Sequence, residues 1–427
     1  MNMDFIVAIV GIALLLTTVP IGMALMLATF VGFAFFTDID LIILGQTMII
    51  KLDNFAFSAI LFFILAGNII SHGGIVTRLI NFTNKLVGFI RGGLSISGIC
   101  AHGLFGALSG SDLAAIASIS NFMIPALQEK KYPKQFTIGL MTSSPLLAII
   151  IPPSIPMLVI AGITNDSIAR LFVAGFLPGV LIVFSLSLYS FIVSRKFDLE
   201  KIEFPRFKEI AISFKEAFWA LLTPLIIYVG IVSGFCTASE AAGVAAAYAL
   251  FVELFIYKEL KWRDCPKIFL RSGITVATIL LLVAGASALA DYVTFQQIAM
   301  NIADAIVNFS ENPIYFLMLI NVFLLLVGCV LEIMSAMLIL MPIFVVIVPE
   351  YGINLTHFAI IFIVNLGIGY ITPPVGINLY LIMALTKESL IFVSKAVLPT
   401  MLILFIILLA ITYIPAISLF LPGLLGL

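Results

Sequence analysis

The chain has 427 residues and a formal net charge of −1; 63% of its residues are hydrophobic and only 10% are charged. A soluble domain averages about 45–50% apolar and about 25% charged residues, so this composition excludes a water-soluble globule of this size. The near-zero charge gives no support to nucleic-acid binding. The chain is therefore expected to be an all-α integral membrane protein of the lipid bilayer, in which each span needs about 20 apolar residues.

Neither the cysteines nor the histidines form a disulfide or metal-binding pattern. The cysteines are scattered, mostly in apolar stretches, and no CxxC pair occurs. The histidines are isolated and share no spacing, which argues against a catalytic transition metal. These residues are Cys100, Cys236, Cys265, Cys329, His72, His102 and His357.

The amino-terminal stretch has no signal-peptide pattern, because it carries Asp4 instead of a basic region. The apolar stretch from Phe5 to Phe36 is too long for one perpendicular span and is interrupted at Pro20. It is predicted to be either two short helices or one kinked helix.

The charges of the connections predict the orientation of the chain. Basic residues cluster at 78–91, 130–134, 195–215, 258–271 and 387–395. Acidic or nearly neutral connections lie at 38–53, 165–166, 291–311 and 350. The positive-inside rule assigns the basic set to the cytoplasm and both termini to the outside.

Two pairs of apolar segments are predicted to form hairpins that enter the membrane from opposite sides. The pair at about 86–127 has basic connections at both outer ends and a polar tip at 109–112. That tip either emerges outside or stops at mid-membrane as a re-entrant hairpin. The pair at about 313–348 is flanked by acidic residues and shows the mirror arrangement.

The two halves of the chain repeat the same signals in the same order. An Ala-Gly pair, a tip glycine 43 residues later, a proline 14 or 15 residues after the tip and a double proline all recur. The same order with opposite orientation indicates inverted-topology repeats. The predicted organisation is a first repeat at 1–193 with a broken helix at about 136–161, a charged cytoplasmic linker at 194–218, and a second repeat at 219–427 with a broken helix at about 355–383.

Double prolines at 152–153 and 373–374 must break their apolar helices, because each proline removes a backbone donor and clashes with the preceding turn. The freed carbonyls are costly in hydrocarbon unless something satisfies them, and a bound cation does so. The alternative is a simple kink satisfied by serines and neighbouring helices. Two symmetric breaks, each in the same repeat as a polar hairpin tip, favour an ion or substrate site.

Each hairpin tip is predicted to close over the break of its own repeat with neutral oxygen ligands. Such ligands suit a weakly held, hard monovalent cation, Na⁺, better than a transition metal. The candidate sodium ligands are Ser109, Gly110, Ile151 and Pro152 in the first repeat and Gly328, Gly369, Thr372 and Val375 in the second.

Three acidic residues lie within or beside apolar segments, where a charge costs roughly 2.5–3.5 kcal/mol at the helix centre. Glu332, at the second tip, is interpreted as a substrate or ion contact; the alternative is a tip carboxylate that simply reaches water. Asp112 is a weaker candidate of the same kind, and Glu240 is expected to satisfy a neighbouring helix end. No P-loop is present, so uphill transport would need an ion gradient.

The motifs at 109–111, 151–154, 234–242 and 369–376 resemble those of the large membrane subunit of TRAP (tripartite ATP-independent periplasmic) transporters, and the resemblance runs from end to end. It implies an elevator-type, sodium-coupled importer of the bacterial inner membrane and not an enzyme. It also implies a small membrane subunit and a periplasmic binding protein that delivers organic acids such as sialic acids or C4-dicarboxylates. The positions that it places near the substrate are Ser111, Ser154 and Glu332. Asp112 departs from the pattern, in which a small residue is more usual.

The substrate is expected to contact Ser111 from one tip and Glu332 from the other, in one shared cavity. Glu332 would repel a second carboxylate but accept hydroxyl donors, so a hydroxyl-rich monoacid such as a sialic acid is predicted. A C4-dicarboxylate permease is the alternative. Two other classes stay open: a stand-alone sodium/anion symporter of similar architecture, and a membrane-embedded enzyme, for which no acid–base or metal constellation is visible.

Overall fold

The computed structural model of the chain describes residues 3–17, 19–37, 39–199, 204–298, 300–302 and 312–427. Every regular element in these ranges is helical, which confirms the predicted all-α class. Helices suit hydrocarbon because they satisfy their backbone groups internally. The helices are α1 (Met3–Leu16), α2 (Ile21–Phe36), α3 (Leu41–Leu52), α4 (Phe55–His72), α5 (Ile75–Val87), α6 (Gly93–Ser109), α7 (Asp112–Ala115), α8 (Asn121–Glu129), α9 (Lys134–Ser143), α10 (Leu147–Ile150), α11 (Ile155–Thr164), α12 (Ile168–Val193), α13 (Phe207–Val232), α14 (Ala238–Phe251), α15 (Cys265–Phe295), α16 (Pro313–Gly328), α17 (Ile333–Glu350), α18 (Leu355–Gly369), α19 (Ile377–Thr386), α20 (Leu390–Tyr413) and α21 (Ala416–Leu425).

Within the described ranges, six helices are long and apolar enough to cross a membrane, and two bent helix pairs raise the number of candidate spans to eight. A helix rises about 1.5 Å per residue, so the shorter apolar helices do not cross a hydrocarbon core of about 30 Å alone. The chain is a multi-pass membrane protein.

The amino-terminal stretch forms two helices, which decides between the two arrangements open from the sequence. Helix α1 ends before Pro20, and α2 begins directly after it. Helix α2 then packs closely on α15. A Cβ built on Gly22 of α2 would lie 2.7 Å from the backbone oxygen of Leu281, so glycine allows this approach.

The predicted charged linker runs directly into a membrane helix. Residues 207–218 form the first turns of α13, and residues 200–203 lie outside the described part of the chain. Glu209 of α13 accepts a 2.8 Å ion pair from Lys85 of α5, with both side chains half exposed. The linker is thereby held beside the first repeat.

Two segments, each made of helices joined by a short turn, occupy the positions of the predicted hairpins. We call residues 93–129 the first hairpin and residues 313–350 the second hairpin. The first hairpin begins at Gly93 because residues 86–92 are the end of α5 and a turn. It turns at Gly110, whose φ of 59° lies in the left-handed region that glycine tolerates. The second hairpin turns at residues 329–332.

Both double prolines lie between two helical segments. Residues 134–150 meet α11 at an angle of 40° across the first break, residues 151–154. Helices α18 and α19 are separated by the second break, residues 370–376. A cis peptide bond joins the two prolines at each break.

Candidate substrate and ion site

A cavity of about 620 Å³ lies between the two hairpin tips. Ser109, Gly110 and Ser111 line it from the first tip, and Glu332 lines it from the second. Helices α4 and α15 also line it. The structure therefore brings Ser111 and Glu332 into one cavity, although they belong to different halves of the chain.

The first tip is packed against the first break. A Cβ built on Gly110 would lie 2.9 Å from the backbone oxygen of Pro153 and 3.0 Å from the backbone nitrogen of Ile155. The Ser111 N–H donates to the Ser109 hydroxyl at 3.4 Å, and the Ser111 hydroxyl accepts from the N–H of Ala114 at 3.4 Å. Both serines therefore form hydrogen bonds within the turn of the first hairpin and also line the cavity.

The second tip is packed against the second break in the same way. A Cβ built on Gly369 would lie 2.5 Å from the carbonyl carbon of Gly328. The N–H of Gly376 donates to the carbonyl of Cys329 at 3.1 Å. Each tip thus rests on the break of its own repeat.

Glu332 is the N-cap of α17, and both of its carboxylate oxygens have partners. Oε2 accepts from the N–H of Ser335 at 3.1 Å and from its hydroxyl at 3.3 Å. Oε1 accepts from the Tyr370 hydroxyl at 3.2 Å. Capping places the negative charge at the positive end of the helix dipole. These contacts fix the orientation of a carboxylate that faces the cavity.

The hydroxyls of Ser154 and Thr372 each donate a hydrogen bond to a backbone carbonyl of the preceding helix. Ser154 is buried outside the cavity lining, and its Oγ donates to the carbonyl of Ile149 at 2.6 Å. The Thr372 Oγ1 donates to the carbonyl of Ile368 at 2.7 Å. Ser154 therefore satisfies one acceptor next to the break, and the structure does not bring it to the cavity with Ser111 and Glu332.

The other candidate sodium ligands, Gly328 and Gly369 included, are not among the residues that line the cavity. Ile151, Pro152, Thr372 and Val375 belong to the breaks and do not line the cavity. What they offer is oxygen: backbone carbonyls and one hydroxyl, with no thiolate or imidazole. Such a neutral set fits a hard monovalent cation, because soft or transition metals prefer nitrogen and sulfur ligands. Sodium binding by these residues stays a prediction.

The cavity lining carries negative charge. Asp112 and Glu332 are its two acidic residues, and its described lining contains no Lys, Arg or His. Asp112 is only 5% exposed, its Oδ2 has no hydrogen-bond partner among the described residues, and the Asn378 side chain interacts with the carboxylate.

Several cavity-lining residues were not predicted from the sequence. Thr275 and Thr278 are spaced three residues apart on an apolar helix, a pattern that could have been noticed. Tyr370 directly follows the predicted ligand Gly369. Asn68 of α4 and Ser335 of α17 also line the cavity, and no sequence pattern around them indicates this. Glu240 caps its own helix, through a capping box with Thr237, rather than a neighbouring helix end.

Comparison with known proteins identifies relatives along nearly the whole chain. Residues 8–417 match the family model described as "Tripartite ATP-independent periplasmic transporter, DctM component". A C4-dicarboxylate TRAP transporter large permease of Pseudomonas aeruginosa is 39% identical over 88% of this chain and 88% of its own. A sialic acid TRAP transporter permease of Haemophilus influenzae is 32% identical over 99% of this chain and 68% of its own. A 2,3-diketo-L-gulonate TRAP large permease of Escherichia coli is 34% identical over 93% of each chain.

A solved structure has a similar fold. The YdaH transporter of Alcanivorax borkumensis, whose topology its crystal structure describes as unusual, superposes with a TM-score of 0.64. The match covers 91% of this chain and 90% of that chain, at 14% sequence identity. At this identity the similarity concerns the fold alone.

Proposed function

The chain belongs to the DctM component family of tripartite ATP-independent periplasmic transporters, and on this premise we propose that it imports an organic acid across the bacterial inner membrane by sodium-coupled, elevator-type movement. Its relatives are named as transporter permeases, so it is a transporter and not an enzyme. The partners proposed for it are a small membrane subunit and a periplasmic substrate-binding protein, which the family name implies.

One observation carries the proposal: Ser111 and Glu332 line one cavity from two hairpin tips, and each tip rests on a helix break. Two hairpins packed against two broken helices can move together as a rigid unit, so that the contacts between the tips and a bound substrate are kept during the movement. Sodium coupling is supported by the neutral oxygen groups of the two breaks and by the lack of an ATP-binding motif in the sequence. When bound, sodium would supply positive charge beside the acidic cavity.

For the substrate we favour a hydroxyl-rich monoacid such as a sialic acid. Hydroxyls of Ser109, Ser111, Thr275 and Thr278 line the cavity together with two carboxylates, and the described lining holds no basic residue. A polyhydroxylated acid offers many donors to these acceptors and brings a single negative charge. A dicarboxylate would bring two negative charges beside Glu332, with no described basic residue in the lining to offset them.

A C4-dicarboxylate is the second candidate, and the similarity to relatives supports it equally. Three large permeases named for C4-dicarboxylates are 39%, 35% and 33% identical to this chain, and two sialic acid permeases are 32% and 33% identical. The similarity to relatives therefore does not separate the two acids, whereas the acidic cavity favours the monoacid, and a transport measurement distinguishes them.

The test is uptake into proteoliposomes that contain the chain and its small membrane subunit, with the binding protein added outside. Sialic acid and succinate would be compared with and without a sodium gradient. Faster sodium-dependent uptake of sialic acid is expected. Equal or faster uptake of succinate would overturn the monoacid proposal. An uptake rate that is the same with and without the sodium gradient would overturn the proposed sodium coupling. Full activity of the chain without partners would instead favour a stand-alone symporter.

A further inference from the structure

A second cavity, of about 730 Å³, adjoins the first. Ile274 and Thr275 of α15 line both cavities. We call the second cavity the vestibule; its polar lining residues are His72, Glu259, Asp264, Lys267, Arg271 and Thr275. It occupies the end of the molecule that carries the basic connections at 258–271.

The same helix faces line the two cavities in succession. On α15, Thr278 faces the cavity, Thr275 faces both, and Arg271 and Lys267 face the vestibule. These positions are three or four residues apart and therefore lie on one side of the helix. On α4, Asn68 lines the cavity, and His72, one turn later, lines the vestibule. Two helices thus form a continuous wall from one cavity to the other.

The two cavities differ in charge. The first has two carboxylates and no described basic residue in its lining, whereas the vestibule contains Lys267 and Arg271. Both basic side chains are exposed, and neither forms an ion pair with a described residue.

The acidic residues of the vestibule offset this positive charge only in part. Glu259 is paired with Arg78 at 2.6 Å. Asp264 has no ion pair among the described residues and accepts from the backbone N–H of Lys261 at 3.3 Å. With Glu259 offset by Arg78, two cations that have no ion pair among the described residues face one carboxylate, which leaves the vestibule positive.

We propose that Arg271 and Lys267 draw the substrate anion out of the cavity along this face of α15 and release it through the vestibule to the cytoplasm. Arg271 lies one helical turn beyond Thr275 and is the first cation that the anion meets. An electropositive cleft raises the local concentration and the transfer rate of an anion, by about 10-fold or more in strong cases. This inference rests on the proposed import of an organic acid.

The vestibule can be tested without any transport measurement. Thr275→Cys would be introduced into a chain whose four native cysteines are replaced, in membranes that expose the cytoplasmic face. Its reaction rates with an anionic and a cationic methanethiosulfonate of similar size would be compared, each divided by the rate of the same reagent with a small free thiol in solution. The anionic reagent is expected to react faster. Arg271→Gln should lower the anion-to-cation rate ratio about threefold or more, whereas Arg263→Gln, which neutralises an exposed arginine outside both cavities, should not change it.

Screening provides the second control. In 1 M salt the Debye length falls to about 3 Å, and the difference between the two reagents should disappear. Equal reaction rates at low salt, or no reaction from the cytoplasmic face, would overturn the vestibule proposal whatever the chain transports.

Transport then tests the role in release. In substrate-loaded proteoliposomes, Arg271→Gln is expected to slow the release of substrate through the vestibule three- to tenfold and to leave its sodium dependence unchanged. Arg263→Gln is expected to release substrate at the normal rate. Unchanged release with Arg271→Gln and with the double variant that adds Lys267→Gln would refute the role. If the unsubstituted protein carries no organic acid, both the proposed function and the role of the vestibule in release are wrong. The ratio of the two reagent rates would still report whether the vestibule is positively charged.

Discussion

Gly328 and Gly369 meet backbone to backbone: a Cβ on Gly369 would lie 2.5 Å from the carbonyl carbon and 2.6 Å from the Cα of Gly328. The contact joins the second hairpin tip to the helix that ends at the second break. Backbone atoms cannot rotate out of the way as a flexible side chain does, so this approach requires glycine at position 369. A Cβ on Gly328 would lie 3.2 Å from the Cα of Gly369, which is a tight contact.

Gly369→Ala is expected to push the second tip away from its break and to lower stability by about 1–3 kcal/mol, the usual cost of overpacking. Gly273→Ala is the matched control, because a Cβ there meets nothing within 4 Å. Thermal unfolding in detergent and uptake would be measured for both variants. A Gly369→Ala protein as stable and as active as the control would contradict the backbone contact.

Glu332→Gln is expected to impair transport while leaving sodium binding largely intact. The amide keeps an acceptor for the Ser335 cap but removes the negative charge that faces the cavity. Uptake and sodium-dependent thermal shifts would separate these effects. Ser335→Ala, which removes one hydroxyl partner of Glu332 and keeps the charge, is the control and should transport better than Glu332→Gln. Normal uptake by Glu332→Gln would remove Glu332 from the substrate site.

Thr372→Ala is expected to weaken the sodium dependence of uptake more than it weakens folding, because the hydroxyl lies at the second break. Thr386→Ala is the matched control: the Thr386 hydroxyl donates to the Ile382 carbonyl at 2.7 Å, the same type of bond at the same length as at Thr372. Uptake against sodium concentration would be recorded for both. If Thr372→Ala keeps the parental curve, Thr372 is not a sodium ligand.

Glu253 is fully buried and caps α5 from another helix. Its two carboxylate oxygens accept from the N–H groups of Gly74 and Ile75, both at 3.0 Å. Glu253→Ala would leave these buried donors without acceptors, at about 1–3 kcal/mol for each. Glu259→Ala removes an exposed ion pair with Arg78 and should change stability by only about 0–1 kcal/mol. Equal unfolding temperatures for the two variants would show that the Glu253 cap is not needed.

The predicted orientation can be checked by cysteine labelling. A cysteine at Glu350, which is exposed at the end of α17, should react with an impermeant reagent only from outside. A cysteine at Lys208, exposed in the predicted linker, should react only from the cytoplasm. The reverse pattern would invert the topology that the basic connections predict.

Local chain properties were readable from the sequence. Hydropathy predicted the all-α membrane class, and the prolines at 152–153 and 373–374 marked where two helices end, because a missing N–H and a fixed φ act at the residue that carries them. Gly110 was recognisable as a tip residue for a similar reason. The motifs around these positions were also sufficient to recognise the family.

The assignment of roles around the site needed the tertiary structure. Ser111 and Ser154 are chemically identical and both precede a helix, yet one lines the cavity and the other is buried against the Ile149 carbonyl. Thr275 lines two cavities because it lies where the two meet along one face of α15. Which side of a helix faces a neighbour depends on contacts between residues far apart in the chain, and such packing leaves no local pattern at the residue itself.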